Sequence, residues 1–249
     1  MTTVSELIAR WDTGEGKPYK GSLIDWSAYE ADPQNIGCMC AQGQALHLLG
    51  GWSPKKLANA EQAAADKATA KLLNISIAHS ILLRSVNDKA DGAPSVVLTN
   101  PEKILGDQAH VVLAFWLHLD RMKAKDWKKV AAASDAARAA ASDAAGAAAR
   151  AAAWDAAGDA AGDAAWAAAR NAAWDAAGDA AWAAAWAAAY AGAEIQGDRI
   201  MREKGQPFFF LPMFGFADPE AIPSLPVGYG KGNIDSKQEG TDKWLTCRT

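Results

Sequence analysis

The chain has 249 residues, half of them apolar and 22% charged, which is enough chain for one large or two small domains with a genuine core. Its formal charge of -4 and pI near 5.6 argue against a protein that grips a nucleic-acid backbone, because such proteins show a basic face. No polybasic cluster points to a membrane surface, and no uninterrupted apolar run approaches the roughly 20 residues that span a bilayer.

The chain begins with a short amphipathic helix, in which Val4, Leu7, Ile8 and Trp11 share one side. Ser5, Glu6 and Arg10 interrupt this stretch, so no signal peptide is expected. A loop rich in Gly, Lys and Pro follows to about Pro33, and residues 37–49 read as a helix stopped by Gly50-Gly51. Ser53-Pro54 supplies an N-cap and a first-turn proline for a helix running to about Leu73. Another helix begins near Ser76. Residues 87–94 (Asn87 to Pro94) have the composition of a loop. Val96-Val97-Leu98 reads as a short strand or extended chain, and Asn100-Pro101 opens a helical turn. From Asp107 to Met122, Val112, Phe115, Trp116 and Leu119 recur at helical spacing, which predicts a buried helix.

The composition then changes abruptly. Residues 130–193 divide into sixteen tetrads whose third and fourth positions are alanine in all but the last. Alanine is the best helix former, so this tract is helical. Four residues advance an α-helix about 40° beyond one turn, so the first position of each tetrad spirals around the helix. Trp166, Trp174 and Trp182 would then point about 80° apart in succession. Either the helix is surrounded by neighbours, or it breaks at the Gly-Asp tetrads into a hairpin or small bundle. A break is favoured, since each glycine weakens helix by about 1 kcal/mol and Asp is a good N-cap. After Glu194 a last helical piece ends near Lys204-Gly205. Residues 208–216 bring five phenylalanines, as a lid over the core or an exposed patch for a partner. Pro219 to Ile222 reads as a turn, and the end from Gly228 as polar and loose. The expectation is an all-α protein with an N-terminal helical domain over residues 1–125, a tetrad-repeat helical region over 126–204, and a Phe/Pro-rich C-terminal segment and tail over 205–249.

Three groups of residues carry chemical potential. Cys38 and Cys40 with His47 offer ligand types that suit zinc, completed by His79, His110 or His118. Structural zinc sites space their cysteines by two to four residues rather than one, so two small buried cysteines beside a helix start is the simpler reading. Nucleophilic catalysis by either cysteine with a histidine is the enzymatic alternative, although no signature surrounds them. An odd count of three cysteines is not a disulfide framework, so the thiols are expected reduced and the compartment cytoplasmic. Asn87, Asp88 and Asp91 could hold a cation or a substrate hydroxyl, but turn chemistry explains them more simply. In the tetrad tract, Trp154, Trp166, Trp174 and Trp182 offer stacking faces and Arg138, Arg150 and Arg170 offer forked cations, a set that suits a nucleotide-like ligand. Those tryptophans serve equally as core and interface filler. No Gly-rich phosphate loop, nucleophile elbow or zinc-protease motif is present, and no catalytic residue is assigned.

The segment from Gly37 to Leu46, the run Ala78 to Arg84 continuing into Val86-Asn87-Asp88, the ending Gly205 to Pro212 and the alanine–tryptophan tetrads resemble uncharacterised accessory proteins of actinobacterial phages. The resemblance covers most of the chain and carries no activity with it. It implies expression inside an infected bacterial cell and a binding role toward a host protein or a small host signal, including a sponge for nucleotide signals that counters host defence. Self-association through the alanine-rich tract is expected with it. A zinc or enzymatic protein built on the cysteine cluster and a structural virion or assembly protein are the competing readings.

Overall fold

The computed structural model describes residues 2–140, 191–205 and 210–232, the side chains of 133–140 and of Met201 excepted. The fold is all-α. Among the described residues there are helices, two short 3-10 turns and one isolated antiparallel bridge between Ile24 and Met39. They form two compact units, one of residues 2–104 and 226–232, the other of 105–140, 191–205 and 210–225. Among them no helix is long and apolar enough to cross a membrane.

The first unit opens with α1 (Val4–Thr13), which a capping box starts: Thr3 and Glu6 each accept the other's backbone N–H, at 3.2 and 2.7 Å. Gly14 stops it in the left-handed region at φ 78°. Its buried face is Val4, Leu7 and Trp11. The stretch read as loop to Pro33 contains a further helix, α2 (Trp26–Ala31), capped by Asp25. Six residues are too few to display a helical period, so only the cap signals it.

The helix expected over residues 37–49 is split. A 3-10 turn covers Ile36–Cys38, Met39 is extended at φ -109° and ψ 140°, and α3 (Ala41–Leu48) begins after the cap residue Cys40. Tertiary bonds make the break. Tyr19 N–H donates to the Met39 carbonyl at 2.9 Å, Asp25 N–H to that of Cys38 at 2.7 Å, and Cys40 N–H to that of Leu23 at 3.2 Å. These backbone groups are thereby satisfied outside any helix. The next helix is also two pieces. Ser53 caps α4 (Pro54–Ala58) by accepting Lys56 N–H, Asn59 ends it, and α5 (Gln62–Leu73) starts afresh.

Ser76 caps α6 (Ile77–Lys89) through His79 N–H at 3.1 Å. Asn87, Asp88 and Lys89, read as loop, form its last turn. Val96-Val97-Leu98 is neither strand nor extended chain but α7 (Val96–Thr99), begun by turn bonds from Val96 and Val97 to the Ala93 and Pro94 carbonyls. A short helical turn, α8 (Glu102–Leu105), follows Asn100-Pro101 as expected. Helices α3, α5 and α6 pack on one another and bury Leu46, Ala65, Leu73, Ile81, Leu82 and Leu83. Each large aliphatic side chain in that core contributes about 1.5–3 kcal/mol. Of the end read as loose from Gly228, residues 228–232 return to this unit, and the rest lies outside the described residues. Gly230 and Gly232 donate their N–H groups to the carbonyls of Asn74 and Leu73, both at 3.1 Å.

The second unit contains α9 (Ala109–Arg121), α10 (Ala124–Ala140), α11 (Ala191–Glu203), α12 (Phe210–Met213) and a 3-10 turn at Pro219–Ala221. Residues 105–125, which composition grouped with the N-terminal region, lie here. Phe210, Phe214 and Phe216 of the phenylalanine run supply part of its core, while Phe208 and Phe209 lie outside the described residues. Phe115 of α9 meets Phe210, Phe214 and Phe216 at ring separations of 5.5, 5.1 and 6.4 Å, and Trp127 meets Phe214 at 6.3 Å. Tilted and edge-on pairs like these add about 0.5–1.5 kcal/mol each beyond area burial. On α11, Asp198 pairs with Arg202 at 3.1 Å, and Arg202 reaches Asp218 and Glu220 beside the 3-10 turn. The question whether the tetrad tract is one helix or several falls on residues 141–190, outside the described ones.

Candidate binding face

Residues 14–40 have little regular structure, and buried amides from the helices hold them in place. Gln44 of α3 is fully buried. Its Oε1 accepts Trp11 Nε1–H at 2.9 Å, and its Nε2 faces the carbonyls of Gly16, Ile36 and Met39 at 2.9, 3.1 and 3.2 Å. One side chain therefore ties α1 to two ends of the segment. From α6, Asn87 Nδ2 donates to the Tyr19 carbonyl at 2.8 Å, and Asp88 accepts Gly21 N–H at 3.0 Å. Gly43 of α3 lets the Leu23 carbonyl come so close that a Cβ there would stand 2.0 Å from its oxygen.

The segment held in this way presents aromatic rings outward. Tyr19 is 36% exposed and Trp26 39%. Trp26 Nε1–H donates to Glu30 Oε1 one turn along α2 at 2.8 Å, which restricts its rotamer. Its ring meets that of Tyr29 at 5.5 Å with a 39° tilt. Tyr29 and Trp52 are half-buried against the cluster of Leu23, Ile24, Met39 and Leu46, and Lys56 Nζ lies 3.8 Å above the Trp52 ring.

A second polar network is internal. Asp66 of α5 is fully buried, and its Oδ1 accepts from Gln42 at 2.9 Å, Gln62 at 3.0 Å and Arg84 Nε at 3.3 Å. Gln42 also meets the hydroxyl and the carbonyl of Ser80, at 3.0 and 3.1 Å. With the carboxylate matched by a guanidinium and two amides, the network joins α3, α5 and α6 at the centre of their packing.

The proposed metal ligands Cys38, Cys40 and His47 do not converge. Among the described residues no three His, Cys, Asp or Glu side chains gather where they could hold a metal ion. Cys40 is spent as a helix cap, its sulfur accepting Gly43 N–H at 3.4 Å, and burial pushes its thiol up to about 11. Burial raises the Cys38 thiol as well. His47 Nδ1 lies 2.7 Å from the Trp52 carbonyl and donates to it. Asn87, Asp88 and Asp91 do not share a cation site either. The first two bind the backbone of residues 19–21, and Asp91 pairs with Lys20 at the surface at 3.1 Å. Of the residues assigned to a nucleotide-like ligand, Arg138 stands on α10, with its side chain outside the described residues. Arg150, Arg170, Trp154, Trp166, Trp174 and Trp182 lie outside them altogether.

Sequence reasoning missed Gln42, Gln44 and Asp66. The available signal was two glutamines flanking a glycine in an otherwise apolar helix, where long amides on both sides need buried partners. It also missed Tyr229, framed by Gly228 and Gly230. Comparison of the chain with protein-family models, with curated proteins and with solved structures finds no match.

Proposed function

We propose that this is a non-enzymatic binding protein, a phage accessory protein that acts inside the infected bacterial cell and docks a host protein on the aromatic face of residues 14–40. One observation carries the reading. Gln44, Asn87 and Asp88, side chains with the chemistry to bind a ligand or a cation, are spent on backbone groups of residues 16–39, and the segment they hold presents Tyr19 and Trp26 to solvent. Loops positioned by a rigid scaffold are where recognition is concentrated. Trp and Tyr are the residues that anchor protein interfaces, and a ring already held in one rotamer loses less entropy when a partner covers it.

The test is quantitative affinity capture from the bacterial host, comparing the natural chain with the double variant Tyr19→Ala, Trp26→Ala. Both rings are partly exposed, so the thermal midpoint of the variant should stay within a few degrees of the parent. The reading expects the captured host protein to fall at least about tenfold for the variant, the scale of losing one or two anchor side chains. Equal capture by both proteins would overturn it.

A further inference from the structure

Residues 226–232 belong to the first unit, although the described residues of the second unit all lie between them and its remainder in sequence. Their grip is specific. Gly230 and Gly232 donate to the last carbonyls of α5 and its cap, Leu73 and Asn74, and the Asn74 side chain returns a bond to the Gly228 carbonyl at 3.2 Å. Tyr229 reaches into the α5–α6 corner, where its hydroxyl accepts Ser76 N–H at 3.1 Å and stands 3.1 Å from His79 Nδ1. The two rings stack at 5.6 Å and 20°. Gly228, Gly230 and Gly232 all have φ between 77° and 84°, and a Cβ on Gly232 would stand 2.5 Å from Val4 Cγ2. Alternate glycines around one tyrosine are what this path demands.

The protonation state of His79 follows from its partners. Nε2 lies 2.7 Å from the Val97 carbonyl, which can only accept, so Nε2 carries the hydrogen. Nδ1 of the neutral ring is then a bare acceptor, and the Tyr229 O–H donates to it. A second proton on His79 would turn Nδ1 into a donor. The Tyr229 oxygen would then have to accept from Nδ1–H and from Ser76 N–H together, with its own hydrogen turned toward Ser76 Oγ at 3.4 Å, an oxygen that already accepts His79 N–H. The same proton would place an uncompensated charge on a side chain 2% exposed. The groups facing His79 are the Tyr229 phenol from residues 226–232, the Val97 carbonyl from α7 and Ser76 at the head of α6.

We infer that residues 226–232 are a releasable clasp on the α5–α6 corner, held by Tyr229 while His79 is neutral and let go when His79 takes up a proton. Release would uncover the Leu73 and Asn74 carbonyls and the Ser76 N–H together, a set of backbone groups open to another extended segment. Burial lowers the proton affinity of His79 to a pKa of about 4, so the clasp is closed at neutral pH and tested by mild acid.

Hydrogen exchange on the full chain decides the matter, read as protection factors so that intrinsic exchange cancels. Between pH 7 and pH 4.5, protection at Gly230, Gly232 and Ser76 should fall at least about tenfold and stay below that of Leu82 and Leu83 in α6 at every pH, although the core amides also lose protection as the whole fold weakens. The variant His79→Gln should remove the pH dependence at these three amides. Tyr229→Phe, which keeps the ring and loses the hydroxyl, should loosen them already at pH 7 and provides a second arm should His79→Gln fail to fold. Protection that is constant over this range, or that equals that of Leu82 and Leu83 at each pH, would overturn the inference.

Discussion

The side-chain amide of Asn87 crosses 68 residues of sequence to donate to the carbonyl of Tyr19 at 2.8 Å. That bond fastens the segment carrying the exposed aromatic rings to the last turn of a core helix. Asn87→Ala would leave the carbonyl of a partly buried strand of chain without its donor, at about 1–3 kcal/mol. The expected outcome is a lower urea midpoint together with faster hydrogen exchange in residues 17–23 than in α5 and α6. Unchanged exchange in 17–23 would show that other bonds hold the segment without Asn87.

Gly43 permits the closest backbone approach in the first unit. A Cβ would meet the Leu23 carbonyl oxygen at 2.0 Å, and backbone cannot swing aside as a flexible side chain would. Gly43→Ala should therefore destabilise by about 1–3 kcal/mol or more through forced displacement, even though alanine is the better helix former. Gly92→Ala is the control, since nothing lies within 4 Å of that position. Chemical denaturation of the two variants side by side checks this, and equal stabilities would contradict the geometry.

Stability should decline on acidification through His79. The unfolded imidazole titrates at 6.5, whereas burial holds the folded one neutral down to about 4. Between those values the unfolded chain binds more protons, so stability rises with pH there and is fully present above 6.5. The contribution is about 3 kcal/mol across the window, at up to about 1.4 kcal/mol per pH unit. His118, also lowered by burial against the second-unit phenylalanines, acts in the same direction. Denaturation midpoints from pH 7 to pH 4 should show a shallower slope for His79→Gln than for the natural chain.

Cys40 should be inert in the folded protein. With its thiol pushed up to about 11, only about one molecule in a thousand carries the thiolate at pH 8, and the sulfur is buried besides. Alkylation mapped by mass spectrometry should leave Cys38 and Cys40 unmodified in native buffer and modify both in denaturant. Rapid native labelling at Cys40 would contradict the burial that sets its proton affinity.

Much of this fold was legible in local chemistry. Thr3, Ser53 and Ser76 each accept the N–H group three residues on, so each announces its helix without help from elsewhere in the chain. The period of α9, with Phe115 and Trp116 on the buried side, was equally local. The sequence alone was therefore sufficient for the all-α class and for the starts of α1, α4, α6, α8 and α9. The tertiary structure decided what depended on distant partners. It broke the helix at Met39, because residues 19–25 offered its backbone other hydrogen bonds. It made helix of Val96-Val97-Leu98, where no strand among the described residues is present to pair with. It turned Cys40, His47, Asn87 and Asp88 from candidate ligands into caps and fasteners, since a polar side chain serves whichever group the fold brings within reach. It also returned Tyr229 to His79 across 150 residues, a pairing that no local propensity encodes because its energy exists only once both ends are in place.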